Sequence, residues 1–107
     1  MLVFPGNAYN DSPVPFDYEE IDVGAVITLP NPEKLKKSYC ALCRFESGPI
    51  RFRYDGGDPS DTVGFPALDG DQFFFIRAEL VNLKMIRIGS TNGFARITYY
   101  RSGGVFP

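Results

Sequence analysis

Apolar and polar residues alternate with a period of two along much of this chain, the spacing of strands with one buried face. Ile50, Phe52 and Tyr54 alternate with Arg51 and Arg53, and Ala95, Ile97 and Tyr99 with Arg96, Thr98 and Tyr100. Ile21, Val23, Ala25, Ile27 and Leu29 alternate with Asp22, Gly24, Val26 and Thr28, which predicts a strand over 21–29. Over 38–46, Tyr39, Ala41, Cys43 and Phe45 form the more apolar face, and Cys40, Leu42, Arg44 and Glu46 the other. Residues 84–89 set Ile86 and Ile88 against Met85 and Arg87. Three consecutive phenylalanines, Phe73, Phe74 and Phe75, place aromatic bulk on both faces of a strand over 72–77. Residues 63–68 predict a short edge strand interrupted by Pro66.

Turn residues punctuate these runs. Leu29-Pro30-Asn31-Pro32-Glu33 ends the first strand, and 33–37 suits a single helical turn. Ser47-Gly48 reads as a tight hairpin, and Asn92-Gly93 is the strongest hairpin signal in the chain. Asp69-Gly70-Asp71 is a further turn, and 78–83 predicts a turn or short helix. Seven to eight short strands follow, giving an all-β, antiparallel β-sandwich or jelly-roll-like domain over 21–101. Pro5, Pro13 and Pro15 block helix in residues 1–20, which predicts an extended N-terminal arm. That arm carries Phe4, Tyr9, Phe16 and Tyr18, more aromatics than a disordered tail supports. Residues 102–107 are expected to be a short C-terminal tail.

Composition narrows the chemistry. The 107 residues suit one domain. No apolar run is long enough to span a bilayer. The N-terminal sequence lacks the basic and apolar regions of a signal peptide. The absence of histidine removes the commonest general base and zinc ligand, and every Ser/His or Cys/His pair. Net charge is −2, unevenly spread: residues 1–33 hold six acids and no base, while 34–107 hold all 11 basic residues. An acidic segment of this kind fits a basic surface, its own or a neighbour's.

Candidate sites follow. Cys40 and Cys43 are three apart on a strand, about 10 Å, beyond the roughly 7 Å a disulfide allows. They are expected to be separate thiols, with Cys40 outward. Asp55, Asp58 and Asp61 gather carboxylates in one loop, without EF-hand spacing. Arg51, Arg53, Phe52 and Tyr54 mix bases with aromatics, but alternation sends the two kinds to opposite faces, against a nucleic-acid platform. No carboxylate pair stands out for glycoside hydrolysis, so no catalytic residue, metal or cofactor is expected. If Arg44, Arg51, Arg87 and Arg96 mark the outside, then Cys40, Leu42, Phe74, Met85 and Tyr100 form an outward apolar patch.

From Ile50 onward the chain resembles a group of small tailed-bacteriophage virion proteins. The shared features are Arg53-Tyr54-Asp55-Gly56 closing a strand, a Pro-Ser loop at Pro59-Ser60, Gly70-Asp71, Asn82 before a strand, and Gly89-Ser90-Thr91-Asn92-Gly93 leading to the strand that ends at Tyr100. The resemblance implies a small β protein of the virion, most simply a capsid cement or decoration protein. Such a protein sits on the capsid exterior after assembly in the host cytoplasm. It bridges subunits of the major capsid protein, or other virion proteins, as a homodimer or homotrimer, without nucleic acid or membrane. A tail or head-fibre component is the nearest alternative. From another class, a carbohydrate-binding β-sandwich module would place coplanar aromatics on one exposed face.

Overall fold

A computed structural model describes residues 13–103. Alternation is clearest in β7 (Gly93–Arg101), where Ala95, Ile97 and Tyr99 are fully buried and Arg96, Thr98 and Tyr100 only partly so. Before it in the chain come β1 (Val14–Val23), α1 (Pro32–Lys37), β2 (Cys40–Ser47), β3 (Ile50–Arg53), β4 (Phe65–Ala67), β5 (Gln72–Ile76), α2 (Arg77–Leu80) and β6 (Lys84–Arg87). They form two antiparallel sheets, β1-β7-β2-β5 and β4-β3-β6. The fold is all-β and sandwich-like. The core lies between the sheets, where Ala41, Cys43 and Phe45 of β2 meet Ile50 and Phe52 of β3. Phe45 stacks on Phe52 across the interface at 5.5 Å.

The boundary expected at residue 20 moves. β1 begins at Val14 and pairs with β7 along its length, from Val14↔Arg101 to Val23↔Gly93. Pro13 and Pro15 do not exclude a strand here because β1 is an edge strand and its register shifts between Pro15 and Asp17, where a missing N–H costs little. Phe16, assigned to the arm, packs against the core, and Tyr18 faces out at 46% exposure. Phe4 and Tyr9 lie outside the described residues.

The strand expected over 21–29 ends at Val23. Beyond it the chain crosses to the other sheet, where Gly24 O accepts from Arg87 N (2.9 Å) and Thr28 exchanges two backbone hydrogen bonds with Met85. Ser47-Gly48 and Asn92-Gly93 are not hairpin turns. Each carries the chain from one sheet to the other, since β2 and β7 belong to one sheet and β3 and β6 to the second. Turn chemistry records a reversal of the chain without fixing which strand receives it. The two corners touch: Gly48 N donates to Asn92 O (3.2 Å), and a Cβ on Gly93 would lie 2.5 Å from Gly48 O.

Both short helices form where expected. Asn31 caps α1, its Oδ1 accepting from Glu33 N and Lys34 N, with Pro32 in the first turn. Arg77, opening α2, donates to Leu35 O, Lys36 O and Ser38 O at the end of α1, which ties the two helices together.

Candidate interaction surface

Register fixes the outer face of the four-stranded sheet, because directly paired residues share a face. Cys40 pairs with Ile76 and Tyr100, and Leu42 with Phe74 and Thr98. Four of the five expected patch residues, Cys40, Leu42, Phe74 and Tyr100, therefore share one face. Ile76, 41% exposed, joins them. It ends an apolar run that alternation does not assign to either face.

Two patch residues are corrected. Met85 is fully buried: it pairs with Phe52 on the inner face of the other sheet. Arg87 shares that face, so it was a poor marker of the outside. Its long side chain reaches out to Gly89 O and Asn92 Oδ1. Cys40 belongs to the outer face but is also fully buried, a short side chain between the larger Ile76 and Tyr100. Burial pushes its thiol up to about 11, and pushes Cys43, in the core, higher still. Neither is a reactive thiolate at neutral pH. Both cysteines are expected to resist a thiol reagent such as DTNB in the folded protein and to react once it is unfolded. Fast native-state labelling of Cys40 would show that its cover opens.

The other end of the outer face is ionic. Arg96 donates from Nε to Glu46 (2.6 Å), pairs with Glu20 (2.6 Å) and reaches the Tyr18 hydroxyl (3.3 Å). Arg44 holds the second Glu46 oxygen at 2.8 Å. The hydrogen bonds from Arg96 and then Arg44 hold the Glu46 carboxyl below its ordinary range. The face thus has an apolar zone around Leu42 and Ile76 and a charge-matched zone around Arg96.

The acidic loop has structural partners. Arg53 grips Asp55 with two hydrogen bonds, 3.0 and 2.6 Å, and holds its carboxyl at about 2, helped by Gly57 N–H. Lys84 binds Asp58 at 2.9 Å, and Arg51 donates to Asp61 O and Gly64 O. The bases once grouped with aromatics therefore fasten the loop between β3 and β4. Among the described residues, no three Asp, Glu or Cys side chains converge as a metal site.

Tyr99 shows how the inner face handles a polar group. Its buried hydroxyl donates to Glu19 Oε1 at 2.6 Å, and burial together with that carboxylate raises its pKa strongly. The same oxygen accepts from Asn31 N at 3.1 Å, so one carboxylate joins β1, β7 and the start of α1.

A second surface feature was not read from the sequence. Phe52 and Tyr54 from the β3 segment, Phe65 of β4, and Phe73 and Phe75 of β5 line a groove of about 260 Å³, with Glu79 of α2 beside them. It runs between β4 and β5, one edge strand of each sheet. The phenylalanine run was a signal of aromatic bulk, but only the packing of the two sheets brings Phe75 to Tyr54, 6.0 Å between ring centres, and lines one groove with both runs.

The chain matches no protein-family model, no curated protein and no solved structure. Its surfaces must therefore speak through their own chemistry.

Proposed function

We propose that the protein is a non-enzymatic structural component of a tailed-bacteriophage virion, a capsid cement or decoration protein that bridges major capsid subunits. One observation carries the reading beyond the sequence resemblance. Tyr100, at one side of the apolar zone of the outer face, pairs with Pro15, beside the Val14–Arg101 pair that opens β1. The described chain begins at Pro13, next to this pairing, and the sequence before it carries Phe4 and Tyr9 as candidate apolar anchors. Large aromatic side chains together with an apolar patch suit protein assembly. The acids of residues 1–33 meet the protein's own bases, Asp17 with Lys34, Glu20 with Arg96 and Glu33 with Lys36, so attachment rests on the apolar contacts. Repeated copies on a shell turn modest contacts into firm attachment.

The carbohydrate-binding alternative needs ring faces side by side. Here Tyr54 lies against Phe65, 5.6 Å apart and 11° from parallel, so each ring covers a face of the other. That packing favours the assembly reading.

The test compares the full chain with a form lacking residues 1–12, which leaves β1 intact. Light scattering is expected to give a dimer or trimer for the full chain. Co-sedimentation is expected to show it bound to capsid shells. The shortened form should stay folded and lose capsid binding. Binding to tails alone would favour the tail or fibre role, and binding on a glycan array alone the carbohydrate module. A monomer that binds none of these would overturn the proposal.

A further inference from the structure

The groove between β4 and β5 combines three properties that an incidental dent in a core does not need. Its walls are aromatic from both sheets: Tyr54 and Phe65 on one side, Phe73 and Phe75 on the other, over a floor formed by Phe52. Phe52 stands edge-on to Phe73 (4.9 Å) and to Phe75 (5.6 Å, 86°). Phe65 keeps 52% of its surface exposed, so the groove is open to solvent along the β4 rim.

The third property is charge. Glu79 lines the groove. One of its oxygens, Oε1, accepts from Ile76 N at 3.0 Å, and no ion pair among the described residues uses its carboxylate. Arg77, two residues before Glu79 on α2, is engaged with the carbonyls that end α1.

These properties select an occupant. A purely apolar group would strip water from the Glu79 carboxylate without replacing it. An anion would be repelled. A lysine ammonium satisfies the charge but is strongly hydrated and offers no flat surface. A guanidinium stacks its plane on aromatic faces and still donates to a carboxylate. We propose that this groove receives an arginine side chain from a partner polypeptide, with the guanidinium stacked on the aromatic rim and hydrogen-bonded to Glu79. The inference is independent of the virion reading, since a partner of any origin can supply the arginine.

The full chain is titrated with n-butylguanidinium, with its neutral isostere n-butylurea, and with n-butylammonium. Ring-proton resonances of Tyr54, Phe65 and Phe73 report binding. Binding is expected to be weak, with n-butylguanidinium favoured over n-butylurea by roughly five- to tenfold. Glu79→Gln keeps an acceptor for Ile76 N but removes the charge, and is expected to abolish that preference. Phe65→Leu keeps apolar bulk at an exposed position and is expected to weaken guanidinium binding. Equal binding of the urea and the guanidinium would reduce the groove to an apolar surface and overturn the proposal. So would equal or tighter binding of n-butylammonium, an unchanged preference in Glu79→Gln, or no shift of these rings with any probe.

Discussion

Replacing Phe52 with Ala is expected to destabilise the fold by about 3–5 kcal/mol, the range for a large buried aromatic removed. Phe52 is 2% exposed and lies at the centre of the aromatic contacts. It stacks on Phe45 of the facing sheet at 5.5 Å and approaches Phe73 at 4.9 Å and Phe75 at 5.6 Å. On its own side it meets Phe65 at 5.8 Å and Tyr54 at 6.3 Å. The loss therefore combines buried area, a cavity between two sheets, and several ring pairs with favourable geometry. Urea unfolding reads it as a lower midpoint with little change in slope. A loss below about 1 kcal/mol would mean that this face of β3 is not the core.

Gly93→Ala is also expected to be strongly damaging, at about 1–3 kcal/mol or somewhat more. The added Cβ would sit 2.5 Å from Gly48 O and 2.7 Å from two side-chain carbons of Ile50. A backbone oxygen cannot turn aside as a flexible side chain does, so the two crossing corners would have to separate. Gly24→Ala is the control, because its new Cβ would meet only the Asn92 side chain at an ordinary 3.5 Å. Equal stability of the two variants would show that the corners are not in contact.

The faces of the strands were legible in the sequence wherever alternation was strict. Phe52 against Arg51, and Tyr99 against Tyr100, point as their spacing requires. Partners were not legible. Of strands consecutive in the chain, only β3 and β4 are hydrogen-bonded neighbours. Turn residues at Ser47-Gly48 and Asn92-Gly93 specify a change of direction, and the two-residue period is blind to which sheet the next strand joins. Arginine was an unreliable marker of the outside for a related reason. Arg96 does face out, but Arg87 shares the inner face with Met85 and escapes through its length. The ionic zone needed the fold as well, since Arg96, Glu46, Glu20 and Tyr18 come from three strands. Four patch residues share the outer face that alternation and the arginine markers gave them, and the groove emerged only when β4 and β5 each took up an edge of its sheet.

The pairing of Val14 with Arg101 has a practical consequence. The first and last residues of the sheet are cross-strand neighbours, about 5 Å apart at their Cα atoms. A peptide no longer than a tight turn would close that gap. The β-core is thus suited to circular permutation, with new ends opened in the Asp55–Asp61 loop. It is equally suited to being spliced whole into a surface loop of a host protein, entering and leaving through one narrow opening.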